Sequence, residues 1–130
     1  AGHAGCAQAI AGLVRLMALT RARGQCYVPG DILAAVGASR DDFVAAEEGE
    51  AARRALAAFV ELGREHVARF AAEAKGMPEA LRPAFLPASL AGPYLERAAA
   101  SGREPLRRVV DISPLRRHWT MLRFAARGWG

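Results

Sequence analysis

From about Glu50 to Lys75, apolar positions return at three- and four-residue steps through Leu56, Phe59, Val60, Gly63, Val67, Phe70 and Ala74. Arg53, Arg54, Glu61, Arg64, Glu65, Arg69 and Glu73 fill the opposite side. This is the period of an amphipathic α-helix, and one apolar stripe of that length must be covered by other helices or by a sheet. Composition decides between them. Alanine dominates, arginine outnumbers lysine 17 to 1, aromatic residues make up 7% and β-branched residues are few, which favours helix and nearly excludes an all-β fold. A chain of 130 residues with 52% hydrophobic content is too apolar for disorder and long enough for one core without disulfides or metal. We therefore read residues 1–130 as a single all-α domain. Within the long helix Arg69 and Glu73 stand at i,i+4, where an opposite-sign pair is worth a few tenths of a kcal/mol.

The remaining segments read as shorter helices. Residues 3–20 form a first helix, apolar on most sides through Ala9, Ile10, Leu13, Val14, Leu16, Met17 and Leu19, closed by Gly24. The stretch from Gln25 to Asp31 is extended or turning, because the residue before Pro29 avoids α geometry and Gly30 follows. Asp31 is placed to cap a short helix over 32–36, and Ser39 with Asp42 has the spacing of a capping box. Gly76 and Pro78 end the long helix. A helix over 88–100 should kink at Pro93. Ser113 followed by Pro114 is an N-cap and N1 pair for a last helix with Leu115, Trp119, Leu122 and Ala126 on one side.

Few residues suggest chemistry. Cys6 and Cys26 cannot build a disulfide framework, have no histidine at zinc-like spacing and read as small hydrophobes. His3, His66 and His118 fall in three different helices without an H-E-x-x-H spacing. No G-x-S-x-G elbow surrounds any of the four serines, and the glycines of residues 1–5 follow no strand. Asp41-Asp42 and Glu47-Glu48-Glu50 could suggest magnesium, but helix-start electrostatics account for them. Charge is uneven. Residues 1–30 hold three arginines and no carboxylate, residues 31–79 six basic and ten acidic groups, and residues 80–130 nine basic and three acidic groups. The basic ends would attract phosphates of lipid or nucleic acid. No nucleic-acid motif accompanies them. No apolar run is long enough for a bilayer span and no secretory signal opens the chain, so a cytoplasmic location is expected, with peripheral membrane association as the basic ends would favour. The absent initiator methionine suggests a processed or excised segment.

One stretch goes beyond generic helix: Ala7-Gln8 in an apolar helix, then Arg21-Ala22-Arg23-Gly24-Gln25-Cys26-Tyr27-Val28-Pro29-Gly30-Asp31-Ile32-Leu33, Gly37 and Asp42-Phe43. It resembles the squalene and phytoene synthase family, in which a glutamine-bearing helix leads into R-G-R-x-Y-[LV]-P, a short helix, a glycine and a D-F pair. The long amphipathic helix, Arg82-Pro83-Ala84-Phe85-Leu86-Pro87, the Tyr94-Leu95 helix and an arginine- and tryptophan-rich closing helix fit as well. The resemblance covers nearly the whole chain and implies the C-terminal half of an isoprenoid-synthase helical bundle. Catalytic members hold Mg²⁺ on two aspartate-rich helices, the second of which precedes R-G-R-x-Y. Counted forward from Gln8, its aspartates fall on Arg15 and Leu19; counted back from Gly24, on Leu16 and Thr20. The first carboxylate is Asp31. Gln25 also replaces the family arginine, with Arg23 nearby.

Gly5, Ala7 and Gln8 resemble one branch in particular, the phytoene-synthase-like assembly factors of respiratory complex I and their bacterial relatives. The resemblance implies a non-catalytic protein with no cofactor that binds an isoprenoid diphosphate or lipid, an anionic membrane, or a protein partner such as the other half-bundle. Gln8, Ile10, Leu13, Met17 and Tyr27 would line its pocket. Arg15, Arg21 and Arg23 would receive phosphate, and Arg116, Arg117, Arg123 and Trp129, together with Arg107 and Arg108, would meet a membrane. Two alternatives stand beside this reading. One is a Mg²⁺-dependent head-to-head farnesyl or geranylgeranyl transferase completed by an upstream half. The other is a basic peripheral membrane module.

Overall fold

A computed structural model describes residues 2–45 and 49–129, so Glu47 and Glu48 lie outside the described residues. Among those described there are helices and turns and no strand. The helices are α1 (Gly2–Arg15), α2 (Met17–Ala22), α3 (Gly30–Ala35), α4 (Arg40–Val44), α5 (Glu50–Glu73), α6 (Arg82–Phe85), α7 (Ala91–Ala100), α8 (Glu104–Arg107) and α9 (Pro114–Arg127), with 3-10 turns at Glu79–Leu81 and Leu86–Leu90.

The centre is a three-helix packing of α1, α5 and α7. α1 contributes Ala7, Ile10, Ala11 and Val14, α5 contributes Ala52, Ala55, Leu56, Phe59 and Val60, and α7 contributes Ala91, Leu95 and Ala98. The many alanines let the helices approach closely, and Gly63 takes this furthest. A Cβ there would stand 2.7 Å from Ile10 Cγ2 and 2.8 Å from Leu95 Cδ1. A second, smaller core of Ala4, Phe70, Ala74 and Ala88 is closed by Phe85 and Trp129.

Several expected boundaries shift. The first helix divides at Leu16, where φ is −99° and ψ 9°, and the Arg15 carbonyl instead accepts from the distant Val110 N–H at 3.0 Å. Asp31 lies inside the first turn of α3, whose N-cap is Pro29, and its carboxylate accepts from its neighbour Ile32 N–H rather than capping the helix. Pro93 causes no interior kink: the α-helix starts at Ala91 after a 3-10 turn, so the missing N–H falls in the first turn, where no partner is required. Arg69 pairs with Glu65 rather than Glu73. The capping box of Ser39 and Asp42 is formed in both directions, and Ser113 Oγ accepts from Arg116 N–H at 3.1 Å. Gly24 ends α2 at φ 71°, a conformation that favours glycine.

Candidate functional site

The solvent side of α1 presents Gln8, Gly12 and Arg15. Across from them stand Pro87 and Leu90 of the second 3-10 turn, Tyr94 of α7 and Arg117 of α9, enclosing a cleft of about 310 Å³. Three of its polar side chains, Arg15, Tyr94 and Arg117, converge on Asp111, just before α9. Asp111 Oδ1 accepts from Ile112 N–H at 2.8 Å, from Arg117 Nη2 at 3.1 Å and from the Tyr94 hydroxyl at 3.4 Å. Asp111 Oδ2 lies 4.0 Å from Arg15 Nη2, and the Arg15 guanidinium stacks 5.4 Å from the centre of the Tyr94 ring. The Ile112 N–H first, and then the two arginines and the Tyr94 hydroxyl, hold the Asp111 carboxyl below its ordinary range.

Two guanidiniums face one carboxylate, so the cleft keeps a net positive charge. Arg15 Nε and Arg117 Nε are buried and have no hydrogen-bond partner among the described residues. An unpaired buried donor is costly, and a guanidinium fork matches phosphate or carboxylate oxygens. Beside apolar Pro87 and Leu90, this arrangement suits an anionic group carried on an apolar body. Two guanidiniums, a phenol and an amide in the lining can bind and orient an anion.

The expected site residues divide. Of the expected pocket, Ile10 and Met17 are buried in the core, Leu13 is packed against it, and Tyr27 is exposed on the segment after Gly24. Only Gln8 lines the cleft, so these five residues do not form one pocket. Of the three phosphate-directed arginines, Arg15 alone lines it. Arg21 donates to the carbonyls of Phe43 and Ala45, tying α2 to the end of α4. Arg23, the C-cap of α2, is exposed and does not line the cleft. Sequence reasoning singles out neither Ala11, Gly12, Leu90 and Ala91 of the lining nor Asp111, which meets three of the lining side chains, and it takes Tyr94 only as a landmark.

On the closing helix, Arg117 belongs to the cleft and Arg116 pairs with Glu96 at 3.3 Å. Trp129 is half-buried, packing edge-on to Phe70 and against Phe124. The exposed tryptophan is Trp119. Leu115, Trp119 and Leu122 are 81%, 65% and 62% exposed, whereas Thr120 on the other side of the helix is buried. Arg123 and Arg127 are exposed along the same helix. Behind it, Phe70 of α5, Gly92 of α7 and Phe124 line a groove of about 610 Å³.

The face of α1 and α2 that bears Gln8 continues through Arg15, Leu16 and Leu19, with Leu16 41% and Leu19 49% exposed. This is the wall on which the squalene/phytoene synthase resemblance places aspartates. A model of that family, described as squalene/phytoene synthase, matches residues 1–123. The chain belongs to that family. No curated protein and no solved structure matches it. The all-helical fold agrees with membership. Family membership implies Mg²⁺, and the donor set here does not fit it: hard cations need several oxygen ligands, while this wall offers a guanidinium, two leucines and Thr20. Thr20 Oγ1 already donates to the Met17 carbonyl. Among the described residues no group of three or more His, Cys, Asp or Glu side chains is placed to hold a metal ion. No described helix is long and apolar enough to cross a membrane.

Proposed function

We propose that this protein keeps the helical framework of the squalene/phytoene synthase family and binds an anionic amphiphile, such as an isoprenoid diphosphate or lipid, without ionising it. The observation that carries this reading is the α1–α2 wall, which presents Arg15, Leu16, Leu19 and Thr20 where catalytic members present aspartates. Diphosphate departure requires charge neutralisation at the leaving oxygens, which Mg²⁺ supplies in those members. Arginines can bind such a group, but they lack that Lewis acidity. The head group would sit between Arg15 and Arg117, with Gln8 and Tyr94 orienting it and the chain resting on Pro87 and Leu90. Among family branches, the proposal favours the phytoene-synthase-like assembly factors, because Gly5, Ala7 and Gln8 come close to the G-x-A-x-Q that precedes their arginine-bearing apolar helix, one residue shorter between Ala7 and Gln8.

The test is equilibrium binding of farnesyl diphosphate in the presence of EDTA. Binding should survive chelation, and Arg15→Ala or Arg117→Ala should each weaken it by about tenfold, in keeping with about 1.5–3 kcal/mol for a hydrogen bond to a charged group. Binding that requires Mg²⁺ and ignores both arginines would refute the proposal.

A second reading is favoured by the exposed stripe of α9. Leucines and a tryptophan beside arginines suit the interface of an anionic bilayer, and α9 contains no carboxylate. In this reading the closing helix lies on the membrane and holds the cleft near its lipid.

A further inference from the structure

His3 and His66 are 63 positions apart, yet the packing of α1 on α5 sets their Nδ1 atoms 2.9 Å from one another. The rings are 5.2 Å apart between centres and tilted by 38°. Without a metal, such a pair can share one proton, one Nδ1–H donating to the other Nδ1. The same spacing is the bite of a chelate. Two nitrogens bound to one ion at 2.0–2.1 Å, with an angle between tetrahedral and square, stand about 2.8–3.4 Å apart. We propose that His3 and His66 form a two-histidine site for a divalent transition-metal ion of the zinc, cobalt or nickel class, clamping α1 to α5.

Three features support the assignment. The ligands project from two helices held by the main core, so their separation is set by backbone packing and little side-chain ordering remains to be done. Glu73 Oε1 lies 3.6 Å from His3 Nε2, the ring nitrogen turned away from His66. At that ion-pair distance Glu73 stands on the side from which an outer carboxylate orients a metal-bound imidazole. The His3 side chain is 29% exposed, so water can complete the coordination of an ion that has only two protein ligands. Imidazole nitrogens select zinc, copper, nickel and cobalt over magnesium. The site is therefore chemically distinct from a diphosphate-binding magnesium centre, and it does not depend on the proposed function.

The experiment is a titration of chelator-treated protein with Co²⁺ and Zn²⁺, followed by calorimetry, the Co²⁺ ligand-field spectrum and thermal melting. One equivalent should bind, the melting temperature should rise, and EDTA should reverse both. His66→Ala and His3→Asn should each weaken binding by at least tenfold and abolish the cobalt spectrum. Glu73→Gln should weaken binding less, and His118→Ala should leave it unchanged. Circular dichroism of each variant reports its fold independently. Failure to bind Co²⁺ and Zn²⁺, or unchanged binding by folded His66→Ala, would overturn the assignment.

Discussion

Gly63→Val is expected to destabilise the protein by about 3 kcal/mol or more, and Gly63→Ala by about 1–2 kcal/mol, the range found when side-chain atoms are forced into a packed core. The reasoning starts from helix propensity, which alone would favour alanine over glycine by about 1 kcal/mol. Packing opposes it here. A Cβ at Gly63 would meet Ile10 Cγ2 at 2.7 Å and the Leu95 methyls at 2.8 and 3.1 Å. Ile10 is 7% exposed and Leu95 fully buried, so neither can swing away into solvent. Valine adds two further methyls at the place where α1, α5 and α7 meet. Urea unfolding monitored by circular dichroism measures the effect, with Gly5→Ala as a control. Gly5 is an exposed helical glycine whose added Cβ would meet nothing within 4 Å, and its substitution should stabilise by about 0.5–1 kcal/mol. If Gly63→Ala stabilises as well, the three helices do not approach as closely as described.

Replacing Leu115, Trp119 and Leu122 together by serine is expected to reduce binding to anionic vesicles by about a hundredfold or more. Full burial of each such side chain is worth about 1.5–3 kcal/mol in water-to-apolar transfer, and partial insertion at an interface would keep a fraction of that. Each arginine near an anionic surface adds about 1 kcal/mol. Arg123→Gln and Arg127→Gln should therefore each cost about fivefold, and raised salt should remove that difference. Because the three apolar side chains lie 62–81% exposed, the serine variant should melt within a few degrees of the parent. Equal binding to neutral and anionic vesicles, or no loss in the triple variant, would remove the membrane reading and leave the stripe to another partner.

What could be read from the residues, and what could not, divides along a physical line. Local chemistry was legible. Ser39 with Asp42, Ser113 with Pro114, and the apolar period of α5 each depend on neighbours within a turn or two, and the structure contains all three. Interactions that close over long distances were not. Leu16 opens the apolar stretch over residues 16–19 with no glycine or proline beside it, and the division there coincides with Val110 N–H reaching the Arg15 carbonyl. Arg21 resembles a phosphate ligand in sequence, yet its partners are backbone carbonyls of α4, and a carbonyl has no sequence signature. The stripe of Leu115, Trp119 and Leu122 was visible as a stripe, but periodicity cannot say what covers it. The helix packs through Thr120 and Phe124 instead. Asp111 gathers the cleft, though in sequence it is one carboxylate between the Arg107-Arg108 and Arg116-Arg117 pairs. His3 and His66 meet only because α1 lies along α5.

The family relation could be read because its landmarks are ordered motifs, and the missing aspartates could be read for the same reason. The cleft's composition could not, since Gln8, Leu90, Tyr94 and Arg117 come from four separate segments.

Release of inorganic pyrophosphate from farnesyl and geranylgeranyl diphosphate, assayed on the purified protein with millimolar Mg²⁺, bears most directly on the α1–α2 wall. No release above the protein-free rate is expected, even where binding to the same compounds is saturated. Sustained, enzyme-proportional release that is abolished by EDTA would contradict the account.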